Sequence, residues 1–243
     1  MSTSVDRALA AWKDWPLALS AAPSIKARSR AGRTNQSYRL DAPGLEGDLW
    51  LRLHRPGADQ LGIDRDRERE ITLRTAEVGI GRPFWHWTVH YSIFPYLEAR
   101  PWTPADFADA DQRARLYPLI ERLAGLALEE PRRCYSDYLL HYWRQLVSRS
   151  AIGPLLRREW DAFWPDLRAF DQADWPPVLV HHDLIPANVL DTGERLVVID
   201  WEYASMGHAD IDRWSLDPES VEDPFVGEIV DWLDRLWEHL TRL

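Results

Sequence analysis

Between residues 177 and 202, two short apolar runs, 177–181 and 196–199, frame a polar segment that constrains this chain more than any other feature. The first run leads through Val180, His181, His182, Asp183, Leu184, Ile185, Pro186 and Ala187 to Asn188. The second leads through Val197, Val198 and Ile199 to Asp200, Trp201 and Glu202. Short apolar runs bounded in this way read as buried strands. Asp183 and Asn188 then lie in a loop leaving one strand, and Asp200 ends the next. A hairpin of that length is expected to bring the three polar side chains to one edge. Two carboxylates and an amide offer oxygen alone, which suits Mg²⁺, a hard cation that usually shares its shell with phosphates. An aspartate beside such an ion can accept a proton from a substrate hydroxyl. Asp and Asn are also ordinary turn residues, so each residue alone carries little; the joint pattern carries more.

The remaining sequence changes character near residue 97. Before it, residues 29–40 read as strand, turn, strand, and residues 49–53 as a strand with Arg52 inside it. Residues 64–78 read as a helix stopped by Gly79 and Gly81, and residues 84–96 as a hairpin turning near Val89. Beyond it, Thr103 and Pro104 offer a helix start, and residues 111–128, 136–148, 154–170 and 221–243 carry helical spacing. The expectation is an α+β chain of two lobes: a β-rich N-lobe over 1–97, and over 98–243 a helical C-lobe holding the small hairpin.

Composition narrows the function. With 29 Lys+Arg against 39 Asp+Glu the formal charge is −10, which argues against nucleic acid or an anionic membrane as main partner. Cys134 stands alone and can make neither an internal disulfide nor a cysteine zinc site, which fits a reducing compartment. No basic stretch precedes an unbroken apolar one at the N-terminus, and no window is long and apolar enough to span a bilayer. A cytoplasmic protein without membrane insertion is expected. The lysines, Lys13 and Lys26, both come early, so cationic chemistry further along must use arginine.

His181, Asp183 and Asn188 in the spacing HxDxxxxN, followed by an apolar strand and Asp200 and Glu202 in IDxE, resemble the aminoglycoside phosphotransferase and choline/thiamine kinase family, which has a protein-kinase-like fold. The stretch from Ile199 to Ala204 is most similar to the choline and thiamine kinase branch. The resemblance implies ATP and Mg²⁺ as cofactors. It makes Asp183 the catalytic base, gives Asn188 and Asp200 the metal, and leaves His181 and Asp212 as structural support. Residues 29–35 resemble the loop that covers the phosphates, with Gly32, Thr34 and Asn35 as its matching positions and Ala31 where a second glycine stands in relatives.

The resemblance further implies a phosphate-holding cation on an N-lobe strand, and Arg52 is the candidate, a charge inside an apolar strand that is costly unless paired. Its carboxylate partner is expected from the following helix, Glu68 fitting best and Glu70 being the alternative. Tyr96 and Leu97 occupy the place of the lobe-connecting hinge, where backbone groups can read adenine. Trp201 and Glu202 are expected to face the acceptor, a small alcohol. A carboxylate and aromatic faces suit a cation such as choline or thiamine.

Aminoglycoside or sugar kinase activity is the alternative within the family. A pseudokinase or nucleotide-binding module is the alternative outside catalysis, motivated by the short stretch after Asp212 and the depleted glycine loop. Ile185, where many relatives are polar, would slow transfer. A metal hydrolase built on His181, His182 and Asp183 fits poorly, since adjacent strand residues face opposite sides and no further His-rich motif supplies ligands. The oligomeric state stays open.

Overall fold

Alternation along five strands builds the N-terminal sheet. The structure, a computed structural model, describes residues 4–29, 35–149 and 152–242. It divides into two compact units, Met1–Leu119 with Ile185–Tyr203, and Ile120–Leu184 with Ala204–Leu243. The expected boundary at residue 97 falls inside the first unit, which also takes in the segment around Asn188 and Asp200.

In the first unit, α1 (Ser4–Ala10) precedes β1 (Ser24–Arg28), β2 (Gln36–Asp41), β3 (Leu49–Leu53), α2 (Arg65–Glu77), β4 (His86–Trp87) and β5 (Tyr91–Pro95). The strands form an antiparallel sheet in the order β1-β2-β3-β5-β4. Side chains alternate faces with period two. Tyr38, Leu40, Leu49, Leu51, Leu53, Tyr91 and Ile93 therefore turn to one face, where they pack with Ala8, Trp15 and Ala42. The register pairs Ser37 and Ser92 with Arg52, and Arg39 and Phe94 with Trp50, so these six share the opposite face.

α2 begins at Asp64, whose carboxylate accepts the N–H groups of Asp66 and Arg67, and ends before Gly79 at φ +73°. After β6 (Arg100–Pro101), the Asp106 carboxylate accepts the N–H and hydroxyl of Thr103, each at 2.7 Å, at the start of α3 (Pro104–Ala108). β8 (Val189–Asp191) and β9 (Leu196–Val198) form a hairpin that β6 extends. α4 (Ala110–Ala124) runs through the division and ends at Ala124, before Gly125 and four residues short of its expected end.

The second unit holds α5 (Tyr135–Arg149), α6 (Pro154–Gln172), α7 (Asp210–Leu216) and α8 (Phe225–Arg242). Its core is aromatic: Trp143 stacks on Trp160 at 4.6 Å with 4° between planes, and Trp232 meets both edge-on. Each such pair contributes about 0.5–1.5 kcal/mol beyond area burial.

The two apolar runs expected to pair with each other have other partners. β7 (Val178–Val180) pairs with β10 (Ser205–Gly207) in the second unit, whereas β9 pairs with β8 in the first. Strands of three residues are too short to show alternation, so neither β8 nor β10 has a sequence signature. α8 begins at Phe225 rather than at 221, because Pro224 cannot continue a helix from the residues before it. Among the described residues no helix is long and apolar enough to cross a membrane.

Candidate active site

A network of charges surrounds Arg52 in the first unit. Arg52 is 8% exposed; one arm of its guanidinium donates to Glu68, and the other to Asp200 at 2.5 Å and Glu202 at 3.0 Å. Glu68, rather than Glu70, meets it, because Glu70 lies exposed on α2 beside Arg74. Arg65, one helical turn before Glu68, donates to Glu68 at 2.5 Å and to Glu202 at 3.1 Å. Asn35 closes the network, its amide N–H donating to Glu202 at 2.8 Å while its carbonyl accepts from Arg65 at 3.2 Å and from the Arg55 N–H at 3.3 Å. Gly32 and Thr34 lie outside the described residues.

Burial and charge compete at each carboxylate. Burial pushes the Asp200 carboxyl above the usual range, although Arg52 pulls it back. Burial and the neighbouring Asp200 push Glu202 up to about 7. At Glu68, burial acts upward, but Arg52 and Arg65 outweigh it and hold the group low. Burial likewise opposes the charge of Arg52, and the three carboxylates overcome it, holding the guanidinium above its ordinary value.

The β8–β9 hairpin places Asn188 and Asp200 together. The Ile199 N–H donates to the Asn188 carbonyl at 3.0 Å, continuing the ladder by one step just before Asp200. Asp200 adopts φ +69°, a left-handed conformation that Asp tolerates better than most residues. Glu68, Asp200 and Glu202 can each present an oxygen such that all lie within 4.8 Å of one another. These are hard donors of the kind Mg²⁺ takes, but Glu68 and Glu202 are already engaged by Arg52 and Arg65. Asp200 is the member with open surface, its side chain 29% exposed against 1% and 2% for Glu68 and Glu202.

Trp201 and Glu202 are both buried; Trp201 packs so near Gly81 that a Cβ there would stand 3.3 Å from its indole nitrogen. The Tyr96 N–H donates to the Asp48 carbonyl at 2.9 Å. The Tyr96 ring lies 5.9 Å from Trp50 and carries the Arg39 guanidinium at 3.9 Å. Leu97 is half-buried in the segment that follows.

In the second unit, β7 delivers His181, His182 and Asp183. The fully buried His181 and its neighbour His182 donate their backbone N–H groups to the two oxygens of Asp212, at 2.6 and 3.0 Å. The Asp183 N–H donates to His181 Nδ1 at 3.3 Å, and His182, at φ +62°, places Nε2 3.0 Å from the Tyr135 hydroxyl. Burial raises the Asp212 carboxyl, while the His181 charge interaction and the two backbone donors pull it down. Ile185 is 46% exposed.

Sequence reasoning missed Arg65. Arg65 has a faint signal, its spacing of three from Glu68, but α2 carries so many charges that several spacings compete.

An antiparallel five-stranded sheet whose third strand carries a buried arginine, paired to a helix acid and to an aspartate after a later hairpin, defines a phosphotransferase of α+β, protein-kinase-like architecture. The profile of the phosphotransferase enzyme family matches residues 26–240, and the chain belongs to that family. No curated protein matches it. Among solved structures it is similar to a choline/ethanolamine kinase family protein from Mesorhizobium loti, at 22% identity and TM-score 0.62 over 97% of this chain and 76% of that one. It is also similar to the choline kinase LicA from Streptococcus pneumoniae, at 16% identity and TM-score 0.72 over 90% of this chain and 86% of that one. LicA has also been solved with AMP. The macrolide 2′-phosphotransferase MphH from Brachybacterium faecium matches at 21% identity and TM-score 0.59, over 98% of this chain and 86% of that one.

Proposed function

We propose that this phosphotransferase moves the γ-phosphoryl group of ATP to the hydroxyl of a small cationic alcohol of the choline or thiamine kind. The observation that carries the nucleotide half of this reading is the fork of Arg52 between Glu68 and Asp200. A guanidinium so held presents fixed donors at low reorganisation cost where charge develops on a transferring phosphoryl group. Asn188 and Asp200 would hold Mg²⁺, which supplies charge neutralisation at the phosphates when bound. Glu68 and Glu202 hold Arg52, Arg65 braces both glutamates, and Glu202 accepts from Asn35 at the end of the phosphate-covering loop.

Asp183 accepts the proton of the acceptor hydroxyl and orients its oxygen. Its loop is fixed from behind by the Asp212 carboxylate and His181. The proposal of a cationic acceptor rests on the chain's net charge of −10 and on the choline-kinase-like IDxE segment; the setting proposed is the cytoplasm.

An assay of ADP release with choline, ethanolamine, thiamine, aminosugars, aminoglycosides and macrolides tests the reading. A cationic primary alcohol is expected to stimulate release most. In the same assay Asp183→Asn is expected to abolish turnover while ATP binding persists. A variant with near-normal rate would refute the role of Asp183, and stimulation by macrolides alone would refute the acceptor class.

A further inference from the structure

Arg82 stands in the first unit between Gly81 and Pro83, just after α2. Its position is tightly fixed. The N–H groups of Ile80 and Gly81 both donate to the Thr75 carbonyl, at 2.9 and 3.0 Å, and the Ile80 carbonyl accepts from the Val198 N–H of β9 at 2.9 Å. A Cβ on Gly81 would come within 2.6 Å of the Thr75 hydroxyl, so the chain passes there only as glycine. Pro83 restricts Arg82 to extended backbone.

The guanidinium of Arg82 lies 4.3 Å from the centre of the Phe94 ring, on the sheet face that also bears Arg52. Stacking holds the cation in place without consuming its donors. Among the described residues it has no hydrogen bond and no ion pair. It nevertheless feels the charges of Arg52 and Asp200, and burial followed by the repulsion from Arg52 lowers its pKa to about 10, which leaves it charged at neutral pH.

The contrast with its neighbours is informative. Arg52 has committed donors to Glu68, Asp200 and Glu202, and Arg65 to Glu68, Glu202 and Asn35. Each of these cations is balanced within the network. Arg82 has five donors, is partly desolvated, feels the charge of the aspartate proposed to carry the metal, and has no bonded anion among the described residues.

We propose that Arg82 binds the phosphate chain of the nucleotide, sharing with Arg52 the cationic grip that a single strand residue is expected to supply. This rests on the phosphotransferase reading above. It assigns the phosphate-binding charge to two arginines from different segments: Arg52 anchored by carboxylates, and Arg82 anchored by an aromatic ring and free to meet an anion.

Calorimetric titration of the full chain with Mg²⁺ and adenosine, AMP, ADP, ATP or tripolyphosphate tests it, using wild type, Arg82→Met and Arg82→Lys. Losing a hydrogen bond to a charged group is expected to weaken ATP, ADP and tripolyphosphate about tenfold or more in Arg82→Met. Adenosine binding is expected to stay constant, and Arg82→Lys to keep part of the affinity. Melting curves of the free variants establish that each is folded. Equal weakening of adenosine and ATP would show that Arg82 only shapes the pocket, and unchanged ATP affinity would show that it does not touch phosphate; either overturns the inference while sparing the phosphotransferase reading. A wild type that binds neither ATP nor ADP would overturn both.

Discussion

Replacing Arg52 by methionine tests the network that organises the first unit. The side chain of Glu68 is 1% exposed and that of Glu202 2%, and both depend on Arg52 for one of their ionic contacts. Removing one partner of a buried pair costs about 3–5 kcal/mol, because the remaining charge is left in a poorly solvating interior. Arg65 still reaches both glutamates, and Glu202 can take up a proton near neutral pH. The expected loss therefore lies at the lower end, about 3 kcal/mol, out of a typical total of about 5–15 kcal/mol. Adding Glu68→Gln to Arg52→Met removes one stranded charge and is expected to recover about 1 kcal/mol or more. The measurement is urea unfolding at pH 7.5 in EDTA, followed by circular dichroism and tryptophan fluorescence, with the two units fitted as separate transitions where the probes disagree. A loss below about 1 kcal/mol, or strict additivity in the double variant, would refute a coupled buried network.

His54 accepts a contact from the Ser92 hydroxyl at Nε2, 3.2 Å, and meets the Val89 carbonyl at Nδ1, 3.3 Å, a pattern that suits the neutral ring. Burial and then Arg52 lower its pKa to about 3 from an ordinary 6.5, so the unfolded chain binds the extra proton as pH falls through 6.5. Stability is thus expected to drop by about 2 kcal/mol from this group between pH 7 and pH 5, with a shallower slope in His54→Gln; a ring seen by NMR to titrate near 6.5 would contradict this. Gly227→Ala would normally stabilise a helix by about 1 kcal/mol. In α8 the new methyl would strike the Trp214 ring, so a net loss of about 1–3 kcal/mol in thermal or urea melts is expected instead. Asp212→Ala would orphan two backbone N–H groups above the Asp183 loop and is expected to cost about 2–5 kcal/mol, with Asp212→Asn milder. Equal stability of the two Asp212 variants would show that the oxygen kept by Asn does not hold its backbone N–H.

Much of the local structure is written in short-range patterns. The cap at Asp64 and the glycine at 79 delimit α2, and a charged residue alone within Leu49–Leu53 marks Arg52 as a group that must find partners. The spacing from Asp183 to Asn188 and on to Asp200 carried the family likeness, because such motifs are local in the chain. The pairing of the short strands was not legible. Three residues of Val and Leu are equally compatible with β8, β9 and β10 as partners, and only the surrounding packing distinguishes them.

What residues 4–242 determine by themselves is where chain direction, capping and charge constrain the backbone, since those forces act within a few residues. Which carboxylate of α2 meets Arg52, that Glu202 turns inward to Arg65 and Asn35, and that Arg82 comes to rest on Phe94 were decided only in the folded molecule. The separation is 148 positions between Arg52 and Asp200, and 167 between Asn35 and Glu202. Over such distances the partner of a charge depends on how a helix is rotated against a sheet, a property of the packed interior that no local pattern encodes.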